Sequence, residues 1–329
     1  MQQFDATRRR MLAGVACTGL GLAAGPLAAQ PAPDWPTKPV RLIITFPTGG
    51  LLDIVSRMLA PKLSEAFGQQ FVVENRPGAN GNIGGEIAAR SDPDGHTLLA
   101  TSADMVAVNP HLYPMSFDPA RDLEPITQLV KLSMMIVTGP DYPAHDATSL
   151  IARLKARPGQ SYGTPGNGSA PHLIAETFRM ETGTQITHVP YKGLAAALSD
   201  LMGGQIDLVF DAGVSLPNVR AGKLKLLAVA GKTRLAEFPD VGTLGEAGIE
   251  GFDSDTTFVL MAPAGTPPTV IDRVNAEVVR QLRSPEFGER LARMNLGAVA
   301  NTPAEAAANL AADHRRLGEV IRSAGIRID

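Results

Sequence analysis

The chain has 329 residues, 44% of them hydrophobic, with 30 Lys and Arg against 33 Asp and Glu. That is enough for a buried core and for two domains of ordinary size. With mixed charges, no basic stripe, one Trp and 5% aromatic residues, the chain lacks the composition of a nucleic-acid binder.

Residues 1–29 read as an export signal. A basic start (Arg8, Arg9, Arg10) precedes an apolar, Gly-rich run and small residues at Ala28 and Ala29, the layout of a cleaved leader. The run is too short and too broken by Gly and Pro for a membrane anchor. "TRRRML" fits either a Sec leader or a twin-arginine signal. Cys17, the single cysteine, lies inside the leader. The mature chain is therefore expected to carry no thiol nucleophile, disulfide or cysteine metal site, and to work in the periplasm.

After a Pro-rich lead-in, "VRLIITF" predicts a strand and "FPTGG" a turn. The next segment spaces Leu52, Val55, Leu59, Leu63 and Phe67 three or four apart, one buried face of a helix. Pro61 sits inside it and predicts a kink or two shorter helices. "QQFVVENR" is a strand, "PGANGN" a turn, "IGGEIAAR" a helix and "HTLLATS" a third strand. Such alternation predicts parallel α/β layers. "LEPITQLVKLSMMIVTG" is then a long extended stretch with no helix in it. A second alternating block follows: "QSYGTPG", the helix "APHLIAETFRMETG", "TQITHVPY", the helix "LAAALSDLMGG", "QIDLVFDA" and "LKLLAVAG". A second extended stretch, "SDTTFVLMAPAG", leads to helices near 267–283 and 303–324. Two α/β blocks joined by two extended crossings predict two lobes with a cleft between them, the second lobe inserted in the first. The expected boundaries are 30–130 with 252–329 for the first lobe and 131–251 for the second.

Each block offers a strand, a glycine loop and a helix start. The first is "FPTGGLLD", the second "YGTPGNGSAPH", where Tyr162 ends the strand, Ser169 suits an N-cap and Pro171 the first helical turn. Ligands of parallel sheets sit at the strands' carboxyl ends. A helix start presents unpaired N–H groups and about half a positive charge, an anion site without a cationic side chain. Gly-Gly between strand and helix is also common simply as a turn. Asp53 either complements the helix start, hydrogen-bonds a ligand or orients the loop, and His172 is either a packing residue or a functional one.

These motifs resemble the Bordetella uptake gene family, whose members resemble the extracytoplasmic receptors of tripartite tricarboxylate transporters. The likeness spans nearly all the mature chain, and "VENRPGANGNIG" with "HVPYKG" carries most of its specificity. It implies a type II-like, two-lobed α/β periplasmic binding fold with two hinge crossings and a central ligand cleft. It also implies a small carboxylate ligand, transporter membrane components as partners, a monomer, and no cofactor. By the resemblance the first turn is Thr48, Gly49, Gly50, Leu51, Leu52 and Asp53, and the second is Gly166, Asn167, Gly168, Ser169 and His172. Together they grip one carboxylate through amides, hydroxyls and bridging waters, with Ser102 and Asp211 lining the same cleft. The chain departs from the family at Thr48 and Leu51-Leu52, which predict a more apolar ligand. It departs again at Thr257, where Trp is usual, and at His96, where Tyr is usual.

The alternatives are an exported hydrolase using Ser169 and His172, or a ligand sensor. For the hydrolase, "GNGSAP" lacks the G-x-S-x-G elbow. A dinucleotide site would need a G-x-G-x-x-G spacing that "VVENRPGANGNIGG" lacks. The six histidines include no H-x-x-x-H pair for a metal.

Overall fold

The computed structural model describes residues 35–249 and 255–328. The expected leader and Cys17 lie outside the described residues, as does the expected lobe boundary at 251–252. Eleven strands are described: β1 (Val40–Ile44), β2 (Phe71–Asn75), β3 (Thr97–Ser102), β4 (Leu123–Leu132), β5 (Met135–Thr138), β6 (Gln160–Thr164), β7 (Ile186–Pro190), β8 (Leu208–Asp211), β9 (Lys225–Val229), β10 (Thr256–Pro263) and β11 (Leu296–Ala298). They form two sheets, in the orders β11-β4-β10-β3-β1-β2 and β7-β6-β8-β5-β9.

The central strands are apolar on both faces because helices cover both faces. In β1, Leu42 and Ile44 join a core with Leu52, Val55, Leu59 and Leu63 of helix Leu51–Phe67. Ile43, pointing the other way, packs with Ala88, Met105 and Leu310. In β8, Leu208 and Phe210 face one core and Val209 another.

The βαβ units are parallel, as the alternation predicts: β1 with β2 and β3, β6 with β7 and β8. The crossing strands are antiparallel, β10 to β3 and β4, and β5 to β8 and β9. A strand that leaves one half and a strand that returns to it must run in opposite directions, so mixed sheets follow from the two crossings.

Pro61 does not divide its helix, which runs unbroken from Leu51 to Phe67. Leu59 and Leu63, buried on either side of the proline, each stabilise by about 1.5–3 kcal/mol. Together they offset the roughly 3 kcal/mol that an interior proline costs. Tyr162 lies mid-strand rather than at the strand end, which extends to Thr164.

Only Ser133 and Met134 separate β4 from β5. Beside them run Gly231, just past β9, and Asp255, just before β10. A Cβ on Gly231 would strike the Asp255 carboxylate and stand 2.7 Å from the Ser133 hydroxyl. Lys131 Nζ donates to Asp255 Oδ2 at 2.7 Å, tying the outgoing and returning segments together. Gly231→Val should therefore destabilise by about 1–3 kcal/mol through overpacking, read as a lower urea midpoint. An unchanged midpoint would show that the segments are not closely apposed.

Candidate functional site

The first turn is organised by a buried carboxylate. Asp53, 2% exposed, accepts from Gly49 N at 2.9 Å, from Arg57 Nε at 3.0 Å on both oxygens, and from Asn75 Nδ2 at 2.9 Å. Asn75 also donates to Phe46 O at 3.0 Å, and Arg57 Nη2 to Asn75 Oδ1 at 3.0 Å. The three side chains clasp residues 46–49. Burial pulls the Asp53 carboxyl upward, but hydrogen bonds from Arg57, Gly49 and Asn75 outweigh it and hold the group below the usual range. Asp53 thus shapes the loop, and its oxygens are already engaged.

The turn's other members divide. Thr48 and Gly49 are exposed and Gly50 is half-buried. Gly49 has φ +85°, a left-handed conformation that favours glycine. Gly50 N donates to Pro47 O at 3.2 Å. As N-cap of the helix, Gly50 offers the first-turn amides no side-chain hydrogen bond, so those of Leu51, Leu52 and Asp53 are left for water or a ligand. The Leu52 side chain is 1% exposed within the core, and Leu51 packs half-buried against the same core. This corrects the expectation of an apolar leucine pair facing the ligand: helical spacing turns Leu52 inward with Val55 and Leu59.

In the second turn, Ser169 is the N-cap residue of helix Ala170–Thr182 but makes no cap bond. Its hydroxyl donates back to Gly166 O at 2.7 Å. Again the helix's first amides carry no side-chain cap. Asn167 is exposed and Gly166 half-buried. His172, 6% exposed, accepts from Gly168 N at Nδ1, 3.1 Å away, so it braces the loop from behind. Burial lowers its basicity, against a pull from Glu176. Ser169 and His172 therefore each bond to the loop backbone and not to each other, as the nucleophile and base of a hydrolase would.

Ser102 and Asp211 are also local organisers. Ser102 Oγ accepts from Asp104 N at 3.2 Å. Asp211, fully buried, accepts from Val214 N and Ser215 N at 3.1 and 2.7 Å, closing a turn before helix Leu216–Arg220.

The two halves meet near these residues. Ala212, next to Asp211, packs against the cores of both sheets. Gly168 lies against Leu112 and Ile328. Ala103 and Ala170, the neighbours of Ser102 and Ser169, line one cavity together with Asp104, Thr257, Asp313 and Arg316. Its volume is about 30 Å³, room for a water or two and not for an organic acid. Burial raises the Asp104 carboxyl to about 6, with Ser102 pulling it back and Asp313 adding to the rise. The first turn does not line this cavity. Thr257, which lines it, accepts from Gln128 Nε2 at 2.9 Å. His96 is remote from both turns: it packs near Trp35 and accepts from Thr37 N at 3.2 Å.

Arg57, Asn75, Thr164 and His188 also hold the turns in place, and none is among the candidate site residues of the sequence. Arg57 was legible as the i+4 partner of Asp53. Asn75 and His188 lie inside "VENRPGANGNIG" and "HVPYKG", but they reach the turns from neighbouring strands, so the motifs mark the segments and not the side chains' roles.

The model of the tripartite tricarboxylate transporter family receptor, TctC, matches residues 55–326. Protein BugT of Bordetella pertussis is 34% identical over 319 residues, covering 95% of this chain and 98% of BugT. A structure described as a periplasmic transporter is 36% identical, with a TM-score of 0.75, over 90% of this chain and all of that one. R. palustris Rpa4515 with adipate is 33% identical, with a TM-score of 0.76, over 89% of this chain and 99% of that one. The fold is thus the two-lobed one of periplasmic binding proteins. A chain with these two uncapped glycine turns, matched over most of its length, is a solute-binding receptor rather than an enzyme, and it belongs to the TctC family of tripartite tricarboxylate transporter receptors.

Proposed function

We propose that the protein captures a small carboxylate in the periplasm, between the turns at 48–53 and 166–172, and delivers it as a monomer to the membrane components of a tripartite transporter. The observation that carries this reading is the pair of helix starts whose N-cap residues, Gly50 and Ser169, leave the first amides uncapped. Such amides favour an anion without any cationic side chain. Both turns stand at the carboxyl ends of parallel strands, β1 and β6, where α/β ligands bind. In this reading the second lobe is inserted in the first, and closure about Ser133 and Asp255 brings the turns onto one ligand. A relative's structure holds adipate, and a linear dicarboxylate of that kind is the ligand class we assign. Export by either the Sec or the twin-arginine route places the receptor there.

A thermal-shift screen tests this. Adipate, malate, citrate and hexanoate are each run beside their amides and methyl esters. A ligand at about 100 times its Kd stabilises by about 2.7 kcal/mol. At about 2–4 °C per kcal/mol, the midpoint should rise by roughly 5–10 °C for a dicarboxylate. Amides that stabilise as well as their acids would overturn the amide clamp. Small-angle scattering with a stabilising acid should show a smaller radius of gyration. An unchanged radius would overturn closure.

A further inference from the structure

We propose that His172 and His188 form a neutral, stacked pair that positions the second glycine turn, so that the turn loosens its hold on a carboxylate when the pair takes up a proton. The proposal rests on the reading that this turn binds the carboxylate. The two rings lie 3.8 Å apart and 14° from parallel. The His188 ring stacks in turn on Tyr162, at 5.0 Å and 25°. Each imidazole holds one part of the loop. His172 Nδ1 accepts from Gly168 N at 3.1 Å. His188 Nε2 lies 2.6 Å from Thr164 Oγ1, and that hydroxyl accepts from Gly166 N at 3.3 Å.

The Gly168 bond defines the tautomer. A nitrogen that accepts carries no proton, so neutral His172 must carry its hydrogen on Nε2. A proton added at Nδ1 would set N–H against N–H and break the bond to Gly168. A charge on either ring would also stand 3.8 Å from the other imidazole in a buried site, where both cannot be charged at once. The surrounding groups do little to offset this. On the helix, Glu176 is taken up by Tyr162 OH and Arg179 Nε, both at 2.7 Å. On β6 the neighbour is Tyr162, whose phenol burial and Glu176 keep protonated. From the first half, Leu112 and Ile328 reach the loop at Gly168, and neither bears a charge. Burial accordingly lowers His172, and it takes His188 to about 4, with His172 adding to the fall and Glu176 opposing it.

A bound carboxylate would by itself attract a proton to the pair, so the two effects oppose each other and the experiment separates them. Imidazole and amide NMR of the whole protein is followed from pH 7.5 to 4.0, low enough to reach His188. Adipate affinity is measured by calorimetry at both ends, for wild type and for His172→Asn, whose amide oxygen can accept from Gly168 at any pH. The expected spectrum shows His172 unprotonated at Nδ1 at pH 7.5. The Gly166, Gly168 and Ser169 amides should shift with the same midpoint as its ring. Wild-type affinity should fall at least tenfold more than that of His172→Asn between the two pH values, a comparison that cancels the titration of adipate itself. Loop amides that stay still while His172 titrates, or affinity that falls equally in both proteins, would overturn the positioning role and leave the receptor intact. Should His172→Asn fail to fold, the wild-type amide shifts decide alone. If no carboxylate binds at pH 7.5, the carboxylate reading has failed, and the proposal that rests on it falls too. The spectra would still tell whether the pair braces the loop.

Discussion

In a Gly50→Val protein the fold should persist while adipate binding falls at least a hundredfold. Gly50 has φ −72° and ψ 163°, extended backbone that valine adopts readily. The nearest atom to an added Cβ is Pro47 O at 3.3 Å, so the neighbouring carbonyl must yield by only a few tenths of an ångström. The side chain would stand over the Leu51 and Leu52 amides, where the carboxylate is proposed to lie. Hydrogen bonds to charged groups contribute about 1.5–3 kcal/mol each. Losing two of them costs at least about 3 kcal/mol, which at tenfold per 1.4 kcal/mol is over a hundredfold. Gly49 would be a poorer probe, because its φ of +85° strains any substitute regardless of ligand. Calorimetry and circular dichroism read the two effects separately. Near-wild-type affinity in a folded Gly50→Val protein would remove the first turn from the site.

Asp53→Ala should cost both stability and binding. It strips the acceptor from Gly49 N and Asn75 Nδ2 in a site where the carboxylate is 2% exposed. A buried donor left unsatisfied costs about 1–3 kcal/mol; Gly49 is exposed and Asn75 half-buried, so each donor sits at the low end of that range. The Arg57 side chain is 48% exposed and rehydrates, so it adds little. The sum is about 2–3 kcal/mol, a melting point lower by roughly 4–12 °C at about 2–4 °C per kcal/mol. With the clasp gone the loop no longer presents its amides, and adipate affinity should fall with the stability. The acid profile gives a second check. The folded-state Asp53 carboxyl lies below 3.8, so its contribution is full above that pH and is lost as pH falls through the folded value. Asp53→Ala should therefore lose less stability than wild type on acidification below about pH 4. The two stacked histidines, His172 buried and His188 half-buried, act in a higher window. Their folded pKa values are depressed, His188 to about 4. The unfolded chain therefore takes up their protons first, and stability declines from about pH 6.5 downward. An Asp53→Ala protein as stable as wild type, with an unchanged acid profile, would remove the clasp from the account.

Much of the architecture was legible in residue order. Leu52, Val55, Leu59 and Leu63 mark a helix because burial on one face requires that spacing, and all four are in the core. The runs "VRLII" and "LVFD" read as strands because both faces are covered, and they are β1 and β8. Helices Ala147–Ala156 and Pro285–Arg293 are not among the elements that the sequence pattern predicts. The first opens with a capping box from Asp146 to Ser149, and the second with Ser284 as an N-cap. Both signals are local.

By itself the sequence determined the two α/β blocks, the two extended crossings and the glycine turns at helix starts. Each of these is a local matter of periodicity or backbone freedom. Only the tertiary structure decided what the turns' side chains do. Asp53 and His172 look like ligand contacts in the chain, yet both face backward and hold their own loops. Their roles depend on Asn75 and His188, which arrive from neighbouring strands 22 and 16 positions away. Leu52 likewise looks like part of the ligand wall until the helix phase, set by packing along its whole length, turns it into the core. A spacing rule reaches three or four residues along a helix, whereas strand pairing joins residues that no such rule connects.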